Sequence, residues 1–233
     1  MDNENFDLPE DQEYSLEKIL QDVQEEASSR PVRRTAKKEK PDSATATILQ
    51  YAYDLVRLLA VIVLVSMLLF RVVVVSGPSM YDTLLDGDYL LVLSNLFYRE
   101  AKAGDIVIIS KADFDNGEPI VKRVIATEGQ WVDIDFYAGV VYVGDSPDTL
   151  QPLDEPYTHT PTNLQEGVTF PLVVDEGCIF VLGDNRNVSK DSRSLEIGLI
   201  DNREVLGKVL LLFLPGTHEN TENRDFGRIG VIK

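Results

Sequence analysis

The feature that most constrains this chain is a long apolar run near its N-terminus. Residues Leu58–Phe70, LLAVIVLVSMLLF, form 13 successive positions without a charged side chain. Arg57 and Arg71 flank the run, and long basic side chains can extend from the hydrocarbon to the membrane interface. Counted from Leu55 to Val75, the segment has 21 residues, or roughly 31 Å as a helix. This length predicts one transmembrane helix, which we place at residues 51–75.

Two other structures contain apolar runs of this kind, namely a buried core helix and a cleaved signal peptide. The core helix is disfavoured because no comparable surface elsewhere in the chain would need so apolar a partner. The signal peptide is disfavoured because its apolar region would not begin after more than 50 residues. The transmembrane helix therefore remains the prediction.

Charged residues are distributed unevenly on the two sides of the predicted span. Residues 1–29 contain ten acids and one base, whereas residues 30–40 contain six bases and one acid. From residue 76 to the end there are 26 acids and 13 bases. The positive-inside rule therefore predicts a single-pass protein of the cell membrane with a cytoplasmic N-terminus. The predicted division is a mostly disordered cytoplasmic tail at 1–50, the span at 51–75 and an extracytoplasmic domain at 76–233.

The overall composition excludes several classes of protein. The chain is 44% hydrophobic and 26% charged, which is normal for a globular protein. Its formal net charge of -17 argues against nucleic acid as a partner, because phosphate binding needs a basic face. One cysteine excludes an intramolecular disulfide, and the carboxylates show no ligand-like spacing, so we predict neither a metal nor another cofactor. The sequence carries no indication of the oligomeric state.

The region after the span is predicted to be mainly β. Short runs of β-branched and aromatic residues are separated there by clusters of Gly, Asp, Asn and Pro. No strong helical period of useful length follows the span. The pattern predicts a folded antiparallel sheet or a barrel-like domain. The runs are residues 72–75, 89–93, 105–110, 119–126, 131–136, 139–143, 178–183 and 207–214.

Two residues form a candidate serine–lysine pair. Ser79 follows a predicted strand that breaks at Gly77 and Pro78, and a nucleophile needs such an exposed and rigid turn. In the run IVKRVIA, strand alternation places Lys122 on a face with β-branched apolar residues and Arg123 on the other face. A desolvated amine has a lowered pKa, and its neutral form can take a proton from a serine hydroxyl. A lysine that extends from a sheet edge into water is the open alternative.

A polar segment, GDNRNVSKDSR at residues 183–193, follows a predicted apolar strand. Its acids, arginines and hydroxyls fit an ordinary surface loop, and they equally fit a buried hydrogen-bonded shell around a site. His159 and His218 lie in no recognisable motif, so we expect structural or exposed roles for them. Cys178 lies inside an apolar strand, where buried packing is its default role.

Three blocks in this order after a membrane span resemble the type I signal peptidases, also called signal peptidase I or leader peptidase. The blocks are GPSMYDTLLDGDYLLV, then GDIVII with IVKRVIA, then VLGDNRNVSKDSR. Members of this family are membrane-bound proteases with a Ser-Lys dyad. The resemblance covers roughly residues 50–214. The single span and the absence of a large inserted domain are similar to the short Gram-positive-type members.

The resemblance implies that Ser79 is the nucleophile and Lys122 the general base. Ser189 matches the family serine that hydrogen-bonds and orients the lysine amine, and Asp191 matches an acid near the active site. Gly77 stands where some members carry a Ser or Thr that completes the oxyanion hole, so a backbone donor or a neighbour must serve here.

Two further residues, Arg123 and Asp184, match a structural ion pair of the family. The implied substrates are preprotein signal peptides with small residues at the -1 and -3 positions, cleaved through an acyl-enzyme at the surface of the lipid bilayer. The implied fold is a mostly β catalytic domain.

Three other functions remain possible on the sequence alone. A tethered peptide-binding module without activity would not need Ser79, Lys122 and Ser189 together. A soluble Ser-Lys autoprotease similar to the SOS-response repressors is disfavoured by the span and by the lack of a DNA-binding segment. A histidine-using signal peptidase of the endoplasmic-reticulum type is disfavoured because Lys122 stands at the matching position.

Overall fold

The structure is a computed structural model of the 233-residue chain, and it describes residues 20–21, 23–25, 43–158, 160–217 and 223–232. The chain divides into two compact units, Met1–Leu55 and Val56–Lys233. Most of the predicted tail, together with His159 and His218, lies outside the described residues. The predictions made for these parts of the chain therefore stay predictions.

One long helix, α1, covers Ser43–Leu69. Its stretch from Ala44 to Leu69 has a mean hydropathy of 2.2 and is long and apolar enough to cross a membrane. The prediction of one N-terminal apolar helix is confirmed. The helix begins at Ser43, before the predicted segment 51–75. It ends at Leu69, because the backbone from Phe70 onward pairs with a neighbouring strand.

After Leu69 the strands of the described chain form two antiparallel sheets, which confirms the mainly β prediction. The larger sheet has the order β1-β2-β11-β3-β4-β9-β10 with β12 beside β11, and the smaller has the order β7-β6-β5-β8. The strands are β1 Phe70–Val74, β2 Tyr89–Ser94, β3 Ile106–Ile109, β4 Ile120–Thr127, β5 Trp131–Asp135, β6 Val140–Gly144, β7 Gln151–Pro152, β8 Leu172–Val173, β9 Cys178–Leu182, β10 Ile200–Asp201, β11 Val205–Leu214 and β12 Gly230–Val231.

Each of the eight predicted runs overlaps one of these strands. The two-residue strands β7, β8, β10 and β12 were not predicted, because two residues are too few to show a period. Four 3-10 helices of three residues each also lie after Leu69, and they are Asp115–Gly117, Pro147–Thr149, Asn202–Glu204 and Phe226–Arg228.

Strands β3 and β4 lie in the interior of the larger sheet, and β4 carries Lys122 and Arg123. Every residue of β3 is buried, and all six inner residues of β4 are buried on both faces. In their antiparallel register, Lys122 pairs with Val107 and Arg123 pairs with Ile106. Two adjacent charged side chains of β4 are therefore both held inside the domain, on opposite faces of one strand.

Candidate active site

Ser79 lies in the loop between β1 and β2, and its position is fixed by the residues around it. Gly77 has a φ of +86°, a conformation that favours glycine, and its N–H donates to the Asp86 carboxylate at 2.8 Å. Met80 and Leu84 are 1% and 0% exposed, and burial of such side chains contributes about 1.5–3 kcal/mol each. The residues on either side of Ser79 are therefore held in place by buried side chains and a hydrogen bond.

The structure brings Ser79 and Lys122 together, although 43 positions separate them in the sequence. The amine Nζ of Lys122 donates to Oγ of Ser79 at 3.0 Å and to the carbonyl of Val121 at 3.0 Å. Lys122 is only 3% exposed, whereas Ser79 is half-buried. A nucleophile within reach of a base, with access from solvent, is the geometry that acyl transfer requires.

Burial lowers the pKa of Lys122 to about 8, against the nearby carboxylates of Asp191 and Asp184, which raise it. The positive charge of Arg193 lowers it further. With this pKa, roughly a tenth of the amine is neutral at pH 7. A neutral amine has a lone pair and can accept the serine proton, so the site holds a usable base near neutral pH.

Arg123 and Asp184 form a bidentate ion pair behind the dyad. Nε and Nη2 of Arg123 donate to the two carboxylate oxygens of Asp184 at 2.8 and 2.7 Å, and both side chains are at most 1% exposed. The ring of Tyr157 stacks on the guanidinium at 3.8 Å. The hydroxyl of Thr83 also donates to Asp184. This pair therefore links β4 to the loop that carries Ser79.

Asp191 and Arg193 form a second buried ion pair, in the segment after β9. The Asp191 carboxylate accepts from Nε of Arg193 at 2.8 Å and from the Gly183 N–H at 3.0 Å. Arg193 also donates to the carbonyls of Arg186 and Ser189 at 2.6 and 3.2 Å. Seven of the eleven residues 183–193 are buried, and the exposed ones are Asn187, Val188 and Lys190. The segment is thus a largely buried hydrogen-bonded turn and not an ordinary surface loop.

Ser189 is 1% exposed, and its hydroxyl donates to the carbonyl of Lys190 at 3.5 Å. Among the described residues, the hydrogen bonds of the Lys122 amine go to Ser79 and Val121, so the predicted bond from Ser189 is not formed. Ser189 nevertheless lies beside the dyad. A Cβ on Gly183 would collide with the Ser189 side chain and the Ser79 carbonyl, so only glycine permits this close approach.

The backbone around Ser79 is tied to the same turn. The Asn185 N–H donates to the Ser79 carbonyl at 3.1 Å, and the Asn185 side-chain amide donates to the Pro78 carbonyl at 3.0 Å. In contrast, the Ser79 N–H donates no hydrogen bond to any described residue. This N–H is therefore available to donate to the oxyanion that forms when a serine hydroxyl attacks a substrate carbonyl.

Several ion pairs were missed by the sequence reasoning, and in two of them an arginine binds both oxygens of a carboxylate far away in the sequence. Arg186 is fully buried and donates to both oxygens of Glu155, and Arg228 donates to both oxygens of the buried Asp88. Their partners stand 31 and 140 positions apart, and no local pattern connects them. Among the described residues, no group of three or more His, Cys, Asp or Glu side chains could hold a metal ion.

The sequence was compared with known families and proteins. Residues 48–214 match the family described as signal peptidase, peptidase S26. Signal peptidase I of Bacillus licheniformis is 33% identical over 189 residues, which cover 76% of this chain and 94% of the relative. Signal peptidase I T of Bacillus subtilis strain 168 is 34% identical over 198 residues, which cover 78% of this chain and 91% of the relative.

A structural comparison gives a weaker likeness. A crystal structure of a signal peptidase I from Enterococcus faecalis V583 is 26% identical and covers 47% of this chain and 96% of that chain, with a TM-score of 0.37. The family assignment rests on the sequence matches and not on this likeness. The match over residues 48–214 and the two Bacillus relatives show that the chain belongs to the signal peptidase family, peptidase S26.

Proposed function

We propose that this protein is a membrane-anchored serine endopeptidase that removes N-terminal signal peptides from translocated preproteins. Ser79 is the nucleophile and Lys122 the general base. The observation that carries the proposal is the 3.0 Å hydrogen bond from the buried Lys122 amine to the Ser79 hydroxyl. The names of the Bacillus relatives, both signal peptidase I enzymes, support the choice of substrate.

The first half of the reaction forms an acyl-enzyme. Neutral Lys122 takes the hydroxyl proton of Ser79 as Oγ attacks the scissile carbonyl, and the Ser79 N–H stabilises the resulting oxyanion. The carbon–nitrogen bond then breaks. Protonated Lys122 gives its proton to the leaving amine, which is the new N-terminus of the mature protein. The signal peptide stays bound to Ser79 as an ester.

The second half of the reaction regenerates the enzyme. Lys122, neutral again, takes a proton from a water molecule that attacks the ester carbonyl. The bond from the carbonyl carbon to Oγ breaks, and Lys122 returns the proton to Ser79. The signal peptide leaves with a free carboxylate, so each cycle consumes one water molecule and no cofactor.

The surrounding ion pairs have a supporting role in this proposal. Asp184 and Asp191 are 0% exposed, and each is neutralised by a bidentate arginine. Burial lowers the pKa of Lys122, whereas these two carboxylates raise it. Their pairing with arginines limits how far they raise it. The Ser189 side chain and the Ser79 carbonyl both lie against the backbone of Gly183. We assign these residues to the support of the dyad, not to bond making or breaking.

The apolar helix α1 supports the membrane anchor. It ends at Leu69, and β1 begins at the next residue. The five residues of β1 span about 17 Å as an extended strand, so the tether between helix and Ser79 is short. The six bases at residues 30–40 favour a cytoplasmic N-terminus. Such an anchor raises the local concentration of precursors that emerge at the outer bilayer surface.

The proposal is tested with the full-length protein in detergent and a precursor with Ala at -1 and -3. We expect one cleavage, after the -1 residue, identified by sequencing the new N-terminus. Ser79→Ala and Lys122→Ala should each lower kcat by about 10³-fold or more, because members of a dyad act as a unit. Ser146→Ala and Lys111→Ala, at matched residues outside the site, should retain the wild-type rate. A bulky side chain at -1 should abolish cleavage.

Two outcomes would contradict this assignment. Retention of the wild-type rate by Lys122→Ala would exclude Lys122 as the general base. Precursor binding without cleavage by the wild type would favour the tethered binding module.

Treatment of intact spheroplasts with an external protease tests the topology, since residues 76–233 should be degraded. Protection of that region would reverse the predicted orientation.

A further inference from the structure

The C-terminal segment of the described chain returns to the loop that carries Ser79. The family match ends at residue 214, and the structure describes residues 215–217 and 223–232 beyond it. Within this segment, β12 pairs with β11 through Val231 and Leu211. The 3-10 helix Phe226–Arg228 precedes β12 and directs the Arg228 side chain towards the end of the Ser79 loop.

Arg228 contacts that loop at two different residues. Its Nη1 and Nη2 donate to the two oxygens of Asp88 at 3.0 and 2.7 Å, and Nη2 also donates to the Thr83 carbonyl at 3.3 Å. Asp88 is 0% exposed and Arg228 is 21% exposed. The planar guanidinium is suited to this arrangement, because its fork reaches a carboxylate and a neighbouring carbonyl at once.

Asp88 gathers the end of the loop around this contact. Its carboxylate accepts from the Leu85 N–H at 2.7 Å and from the Gly216 N–H at 2.7 Å. A Cβ on Gly216 would collide with the Asp86 carbonyl. The C-terminal segment therefore lies directly against the loop, and Arg228 supplies the positive charge that this buried carboxylate requires.

Thr83 connects this contact to the dyad. Its carbonyl accepts from Arg228, whereas its hydroxyl donates to Asp184, the partner of Arg123 on β4. The loop of Ser79 is thus held from two sides, by the segment after β9 and by the C-terminal segment. Removal of one support lets the serine shift relative to Lys122, and a shift of about 1 Å can cost 10²-fold in rate.

We propose that Arg228 is a positioning residue for Ser79, and that the C-terminal segment fixes the geometry of the nucleophile. The inference rests on the proposed function of the dyad. Arg228 touches neither Ser79 nor Lys122, so its effect is on the placement of the hydroxyl and not on the protonation of the base.

The test compares Arg228→Gln with Arg224→Gln in the full-length protein. Arg224 lies in the same segment, and its side chain donates to the Pro215 carbonyl, not to the Ser79 loop. We expect Arg228→Gln to lower kcat about tenfold per folded molecule with little change in KM, because the serine is displaced. Arg224→Gln should stay near the wild-type kcat. Arg228→Lys should be intermediate, because an ammonium makes the charge contact without the fork.

The pH profile separates positioning from an electrostatic role. The charged groups that act on the pKa of Lys122 are Asp191, Asp184 and Arg193, so the profile of Arg228→Gln should have the wild-type midpoint at a lower maximum. A shifted midpoint would contradict the positioning role. Folded fractions are measured by circular dichroism at the assay temperature, so that each rate refers to folded protein.

If Arg228→Gln fails to fold, the double variant Asp88→Asn with Arg228→Gln decides the question. It removes the buried charge and its partner together, so it should fold, yet it lacks the Arg228 contact to the Thr83 carbonyl. We expect its kcat to stay low. A wild-type kcat in this variant, or in folded Arg228→Gln, would overturn the positioning role and leave the Ser79 and Lys122 results unaffected.

Discussion

The two sheets of the β domain differ in how they bury charged side chains. Along the larger sheet and its connecting loops, acids and bases are buried together around Ser79, with Arg123, Arg186 and Arg193 each at most 1% exposed. The described strands of the smaller sheet, β5 to β8, contribute no charged residue to the buried set. Their inner face is apolar and packs Val132, Ile134 and Val141 against Phe180 and Leu182 of the larger sheet.

This difference indicates that the larger sheet contains the buried groups that are costly for the stability of the domain. Burial of an ion pair is costly and often adds no net stability, whereas an apolar core stabilises directly. The buried pairs Arg123–Asp184 and Arg193–Asp191 hold together the environment around Lys122. Burial in this environment lowers the pKa of the amine to about 8, whereas the carboxylates of Asp191 and Asp184 raise it. The smaller sheet supplies apolar support for that environment.

The largest expected effect comes from breaking one buried pair of the larger sheet. Asp184→Ala leaves the Arg123 guanidinium buried without its carboxylate, which should destabilise the domain by about 3–5 kcal/mol. The measurement is the denaturant midpoint of the full-length protein in detergent. Asp201→Ala is the matched control, because Asp201 pairs with an Arg203 side chain that is 90% exposed. A midpoint in Asp184→Ala as high as in the control would show that burial of the charge carries no penalty.

A smaller effect is expected from the apolar side of the comparison. Ile134→Val removes one buried methyl group from the interface between the sheets and should cost about 0.5–1.5 kcal/mol. Its kcat per folded molecule should equal that of the wild type, because Ile134 lies on β5 of the smaller sheet and Ser79 lies in the loop between β1 and β2. The denaturant midpoint and the rate are measured on the same preparation. A loss of rate in fully folded Ile134→Val would show that the smaller sheet also shapes the site.

Much of this arrangement could be predicted from local sequence patterns. The longer strands were found because β-branched runs between turn residues have a clear signature. The face of Lys122 followed from strand alternation, and a turn at Ser79 followed from Gly77 and Pro78. These features depend on residues that are close in the sequence.

The rest could not be predicted, because it depends on residues that only the fold brings together. Arg228 and Asp88 are 140 positions apart, and Tyr157 reaches Arg123 from a loop without a periodic pattern. The predicted bond from Ser189 to Lys122 differs from the structure, in which the hydroxyl faces the Lys190 carbonyl. A serine in a polar segment has several possible acceptors, and the sequence does not rank them.

The most direct test of the central claim is the pH dependence of kcat/KM for precursor cleavage by the wild type. In the proposed mechanism the reactive form is the neutral amine, and burial lowers the pKa of Lys122 to about 8 from an ordinary value of 10.5. Activity should therefore rise with pH through a midpoint of about 8, reach a plateau above it, and be lost as acid protonates Lys122. A rate that stays constant from about pH 6 to pH 9 would contradict a neutral Lys122 as the base.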